Sequence, residues 1–345
     1  MNLSKTLLSL VSAAGFLLLP GVSPAQEWKK ISPLPDREGF ASPFAGVSHG
    51  SLLLAGGANF PGKKPWEGGI KSWHDSIFIL EKPNGQWKSA GKLARPLAYG
   101  ISASFNNRVI CVGGSNADGH FPEAFSLEWL EGKLFRIDLP SLPIPLANAG
   151  GALTGSILHI VGGQEGPDAP GLKNHYQMDL EEKTPKWIVG EPLPGQGRIL
   201  PLAASFQGKL IIAGGAELRK QNGVWVRRFL DDAFSFTREG WVKIASLPAP
   251  AVAPPSPAPA NEDGFFLLGG DDGKQVGIAP EKHKGFSSTL WFYAAAKDQW
   301  QERGKIPAPR VTVPCVKWNS IWIIPGGEIR PGVRSPEVWG WQFSS

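Results

Sequence analysis

Six times along the chain an apolar, strand-forming run ends in two glycines. The runs are LLLAGG ending at Gly57, VICVGG at Gly114, LHIVGG at Gly163, LIIAGG at Gly215, FFLLGG at Gly270 and IWIIPGG at Gly327. Short apolar runs bounded by turn residues read as buried strands. An earlier stretch of apolar and small residues precedes most of them: FAGVSHGS, YGISASFNN, GGALTGS, LAASFQGK and VTVPCVKWNS. Each unit then closes on a tryptophan followed by Leu-Pro or Ile-Pro, at Trp187, Trp241 and Trp300 and more loosely at Trp87; Phe135 takes that place in the second unit. The first glycines fall at 56, 113, 162, 214, 269 and 326, in steps of 57, 49, 52, 55 and 57 residues.

A period near fifty with one strand-diglycine device per unit is the signature of a kelch-type β-propeller. The expected fold is therefore all-β, a six-bladed propeller. Trp28 stands before the first unit and belongs to no blade of its own, while the last unit ends at Ser345 without a fourth strand. From Gly326 to the C-terminus and on from Gln26 to Gly56 is 50 residues, one more period. The N-terminal strand is thus expected to complete the last blade, which closes the ring and protects both chain ends. The blades fall at about 37–93, 94–143, 144–194, 195–248, 249–307 and 308–345 plus 27–35, within one domain over 26–345. The fifth starts with a Pro-rich run, 249–260. Proline disfavours a central strand, so that inner strand is expected to be short or shifted, or the run to be a linker.

The first 25 residues carry one lysine, an interrupted apolar run and the small-residue site Ser23-Pro24-Ala25. This reads as a cleavable signal peptide cut after Ala25, and hence a periplasmic or secreted protein. No other stretch is long and apolar enough to span a bilayer. Composition fits a packed, turn-rich fold: of 345 residues 43 are Gly and 32 Pro, only 19% are charged, and 14 Trp and 18 Phe supply bulk. The net charge of +5 comes without a dense basic run, which argues against nucleic acid as partner and suits a small anion. Cys111 and Cys315 fall in different blades and read as buried free thiols; two cysteines exclude a Cys-rich zinc site. The six histidines show no metal-ligand spacing, and three Tyr with two Cys do not match a copper radical oxidase.

Chemistry is expected where the loops after the diglycines gather on one face. Two of these loops are long, in the first and fifth blades, and they flank the sixth around the ring. Only the sixth diglycine is followed by Glu-x5-Arg, with Pro331-Gly332 as a turn that brings Glu328 and Arg334 toward the centre. A carboxylate there can move protons and a guanidinium can hold a carboxylate; a surface ion pair meets the same spacing.

Three segments resemble the sialic acid mutarotases (N-acetylneuraminate epimerases): GGANFPGKKPWEGG…KSWHDSIFIL, LAYGISASFNNRVICVGG and GGEIRPGVR. Their order is that of the family's cyclically permuted branch, with the GGANF blade first and GlyGluIleArgProGlyValArg last. The resemblance implies exchange of the α and β anomers of N-acetylneuraminate, a small sugar acid. It implies Glu328 as proton-transfer residue, Arg334 as binder of the substrate carboxylate, and no metal or organic cofactor. Asn59, Lys71, His74, Arg198, Asp271, Asp272 and His283 follow a diglycine or open a blade on the same face and are the secondary candidates. Of these, Arg198 and Lys71 also read as solvated loop charges, and Asp271-Asp272 as a turn cap. The rival reading is a propeller that binds carbohydrate or protein without catalysis.

Overall fold

A computed structural model describes residues 26–343. The signal-peptide expectation concerns residues 1–25 and lies outside the described residues. Within them the fold is the six-bladed propeller that the repeat predicts, all-β, with three short 3-10 turns and no α-helix. No helix among the described residues is long and apolar enough to cross a membrane.

Each blade is an antiparallel meander numbered outward from the axis. The first is Phe44–Ser48, Ser51–Ala55, Ser76–Leu80 and Lys88–Lys92. The apolar runs are the second strands, buried on both faces because each blade packs between two others; Ser51–Ala55 is buried at every position. The core is accordingly a set of wedges between adjacent blades. Phe44, Leu53 and Ile77 of the first meet Val109, Cys111 and Phe125 of the second in one such wedge. Cys111 and Cys315 are both buried free thiols.

The ring closes as expected. Gln26–Ile31 pairs antiparallel with Val338–Phe343, placing Trp28 opposite Trp341, and the two indoles stack at 5.3 Å. The repeated tryptophans join blades by hydrogen bonds. The indole N–H of Trp87, Trp187, Trp241 and Trp300 donates to the carbonyl of Ser32, Pro140, Glu191 and Ala245, each at the end of the preceding blade. Phe135 has no such donor and lies exposed.

The diglycines join blades through the backbone. The N–H of the second glycine donates to the start of the next blade: Gly57 to Leu97 O, Gly114 to Leu146 O, Gly163 to Arg198 O, Gly215 to Ala251 O, and Gly327 back to Phe40 O. All twelve glycines have positive φ. At Gly56, φ is +68° and a Cβ would stand 2.2 Å from the Leu97 carbonyl, so only glycine fits that approach.

The fifth blade departs from the pattern as its prolines require. Its sheet has three strands, Gly264–Leu268, Thr289–Ala294 and Gln299–Lys305. The Pro-rich run occupies the inner position without forming a strand, since proline has no N–H to donate. It is not a free linker: residues 251–255 are buried, and Ala258 N–H donates to Ala203 O of the fourth blade while Cys315 N–H of the sixth donates to Ser256 O.

Candidate functional site

On the face where the diglycines end, a cavity of about 790 Å³ opens on the axis. Its floor is a closed circuit of backbone. Ser42, Tyr99, Asn148, Leu200, Ala253 and Thr312, one per blade, all adopt left-handed φ between 43° and 63°. Tyr99 N–H donates to Ser42 O, Asn148 to Tyr99 O, Leu200 to Asn148 O, Ala253 to Leu200 O, Thr312 to Ala253 O, and Ser42 to Thr312 O, at 2.7–3.1 Å. Left-handed backbone is unfavourable for side chains such as Leu and Thr; the circuit imposes it at every blade.

The residue after each diglycine stands beside this floor. Ala58, Ser115, Gln164, Ala216, Asp271 and Glu328 bridge antiparallel to residues 41, 98, 147, 199, 252 and 311, each one position before a floor residue. These six sites are structurally equivalent, and sequence alone decides what each presents. Two adjacent blades, the fifth and sixth, present carboxylates at Asp271 and Glu328, and both line the cavity.

Glu328 and Arg334 are brought together. Glu328–Arg330 and Val333–Arg334 form a small hairpin in which the two residues are register partners. The Pro331-Gly332 turn closes it, and Gly332 N–H donates to Glu328 Oε1 at 2.8 Å. Arg334 Nη1 lies 3.3 Å from Glu328 Oε2. The guanidinium is buried, rests 4.9 Å from the centre of the Phe60 ring, and does not line the cavity, whereas the Glu328 carboxylate does. The long loop of the first blade supports this hairpin: a Cβ on Gly332 would stand 2.7 Å from Pro65.

The secondary candidates separate by position. Lys71 and Asp271 line the cavity. Asp271 Oδ1 also accepts the N–H of Gly273 at 3.0 Å. Asp272 does not line the cavity and pairs with Lys274 at 2.9 Å. Asn59 is fully buried at the base of the first loop, donating to Asp36 and to Gly39 O and accepting from His74 Nε2 at 2.8 Å. Burial holds His74 below its ordinary pKa, outweighing Asp36 and Asp75. His283 is buried against Phe286 and accepts Gly285 N–H on Nδ1. Arg198 is fully buried in a two-pronged pair with Asp232, at 2.7 and 2.9 Å, and donates to Gly214 O. Arg310 repeats that bracket in the sixth blade, donating to Gly326 O. Both arginines precede the first glycine of their own unit by sixteen residues, a spacing visible in the sequence.

The fold adds cavity residues that motif reading passed over. Tyr99 and Asn148 enter as floor residues. His120 Nδ1–H donates to Gln164 O, and burial favours its neutral form. Trp225 and Arg227 come from a hairpin, Ala216–Gln221 with Val224–Phe229, which the fourth blade extends beside the cavity. The Asn222-Gly223 pair between the two runs, a two-residue hairpin turn, was the available signal. Among the described residues no cluster of three His, Cys, Asp or Glu side chains could hold a metal ion.

A histidine pair lies outside the site, between the third and fourth blades. His159 Nδ1 and His175 Nε2 are 2.9 Å apart, Thr154 Oγ1 is 2.7 Å from His159 Nε2, and Phe236 and Trp241 pack on His175. Burial, then the neighbouring His175, pushes His159 down to about 3; burial pushes His175 down to about 4. The unfolded chain takes up these protons near 6.5, the folded chain only near those depressed values. The pair therefore costs nothing above pH 6.5, and stability is lost as pH falls from there toward 3. We expect the melting temperature to drop across that window and to drop less in His159→Gln, as scanning calorimetry at several pH values would show; equal slopes would remove the pair as the cause.

Comparison with known proteins agrees with the resemblance over the first two blades. Residues 22–137 match the family model of N-acetylneuraminate epimerase. The chain is 43% identical over 107 residues to N-acetylneuraminate epimerase of Salmonella enteritidis PT4 (strain P125109), 27% of each chain. It is 35% identical over 144 residues to that of Yersinia pestis (strain Pestoides F), 33% of this chain and 36% of the relative. The matched stretch thus spans about a quarter to a third of the relatives' length. The family-model match holds Lys71, Trp73 and Tyr99 and stops short of Glu328 and Arg334.

Proposed function

We propose that this chain is a mutarotase that exchanges the α and β anomers of N-acetylneuraminate or a closely related acidic sugar. The observation that carries this reading is Glu328, a carboxylate on the cavity wall, fixed by the Gly332 N–H and backed by Arg334. A passive binding surface does not require a carboxylate held in this way, and ring opening does. The matches to N-acetylneuraminate epimerases over residues 22–137 support the substrate class. A circular permutation accounts for their limited extent, because an alignment in chain order follows the first blades and loses the sixth.

The chemistry needs two proton transfers. Glu328 takes the proton of the anomeric hydroxyl. Its electron pair forms the C=O, the bond from the anomeric carbon to the ring oxygen breaks, and the ring oxygen takes up a proton. Rotation of the open-chain ketone and the reverse steps give the other anomer. Water or the Asp271 carboxyl, at the equivalent position of the neighbouring fifth blade, handles the second proton. Arg334 stabilises Glu328 as the anion that accepts a proton. The pattern of residues 1–25 supports action outside the cytoplasm, after export.

The test is anomer exchange of N-acetylneuraminate followed by NMR with and without the protein. We expect exchange well above the spontaneous rate. An unchanged rate would overturn the enzymatic reading in favour of a binding propeller.

A further inference from the structure

We infer that Lys71 holds the substrate carboxylate, while Arg334 serves Glu328. The inference rests on the mutarotase reading and assigns a charge within that site. A substrate carboxylate needs a cation that faces the cavity and is not already matched by an acid. Arg334 meets neither condition: its guanidinium is buried outside the lining, 3.3 Å from Glu328 Oε2. A second carboxylate reaching it would have to crowd the first, and like charges at that range repel.

Lys71 meets both conditions. It lines the cavity, and its Nζ lies 4.1 Å from the centre of the Tyr99 ring and 4.9 Å from that of Trp73. Among the described residues no carboxylate lies within ion-pair distance of it. Two aromatic faces hold an ammonium in place without neutralising it. They also remove part of its water, which raises its attraction for an anion. Tyr99 is a floor residue whose left-handed backbone is fixed by the hydrogen-bonded circuit, so this part of the seat is rigid. Arg227, the other unpaired cation on the lining, is exposed on a projecting hairpin, where solvent screens it.

Ring order fits as well. The carboxylate of a 2-keto sugar acid is bonded to the anomeric carbon, so its holder must neighbour the group that handles the anomeric hydroxyl. Lys71 belongs to the first blade and Glu328 to the sixth, and these are adjacent around the ring. The loop leading to Lys71 packs on the Glu328 hairpin through Pro65 and Phe60.

The experiment compares binding of N-acetylneuraminate and its methyl ester, which lacks the charge, to wild type, Lys71→Met, Lys71→Arg and Arg334→Gln by calorimetric titration. Loss of one charged contact predicts about ten- to a hundredfold weaker binding of the acid to Lys71→Met, with ester binding nearly unchanged. Lys71→Arg should recover part of the acid affinity, and Arg334→Gln should keep the preference for acid over ester. Unchanged acid affinity in Lys71→Met overturns the assignment. So does equal weakening of acid and ester, or loss of the preference in Arg334→Gln alone. Because these are binding measurements they need no turnover. Wild-type protein that prefers the acid but leaves anomer exchange unaccelerated would sink the catalytic reading and spare Lys71; wild-type protein that binds neither compound would sink both.

Discussion

Glu328→Gln is expected to slow protein-dependent anomer exchange by about 10²–10⁴-fold, the range that one positioned proton-transfer group contributes. The substitution is conservative in shape. The amide oxygen can still accept the Gly332 N–H that now reaches Oε1 at 2.8 Å, so the hairpin keeps its turn. What goes is the proton acceptor, and with it the negative charge opposite Arg334. An uncompensated buried guanidinium would lower stability somewhat, so the rate is to be compared at matched folded fraction, checked by near-UV circular dichroism. NMR exchange between anomers is the readout. A folded variant within about threefold of wild type would remove Glu328 from the chemistry and leave Asp271 as the carboxylate to test.

Arg198→Met is expected to destabilise the fold by about 3 kcal/mol while leaving the turnover of folded molecules unchanged. Breaking a buried pair leaves the partner charge uncompensated and typically costs about 3–5 kcal/mol. Here Asp232 is 23% exposed and keeps some hydration, which favours the lower end. The Gly214 carbonyl loses its donor as well. Denaturant unfolding gives the stability, and KM for the sugar acid is the discriminating number. A raised KM with unaltered stability would make Arg198 a substrate group after all. The geometry argues otherwise: Arg198 is fully buried, and Arg310 forms the same bracket in another blade.

Much of this architecture is legible without coordinates because its devices are local. A strand ending in two glycines is a short pattern, and its physical requirement, backbone at positive φ meeting a carbonyl, selects glycine at each unit. Ring closure is legible for a similar reason. Trp28 belongs to a strand type seen in other blades and has no blade before it. The pairing of Glu328 with Arg334 follows from a Pro-Gly turn between them. The Pro-rich start of the fifth blade announces a missing strand, but not that the run stays buried between its neighbours.

The rest depends on how the blades meet. Ser42, Tyr99, Asn148, Leu200, Ala253 and Thr312 share no side-chain chemistry, yet all adopt one unfavourable conformation. The cause is the hydrogen-bonded circuit, which exists only once six blades have closed. Arg198 looks like a rim charge because a sequence does not say that Asp232 waits for it. Lys71 looks like a solvated loop charge because Tyr99 comes from the next blade and the cavity from all six.

The sequence by itself determined the repeat, the closure and the Glu328–Arg334 hairpin, since each is set by residues within one unit or by the count of units. The tertiary structure decided which charges are already matched and which remain free for a ligand. Burial and partnership arise between blades, over separations that no local pattern encodes. That is why Arg334 turns inward to Glu328 while Lys71 is left facing the cavity.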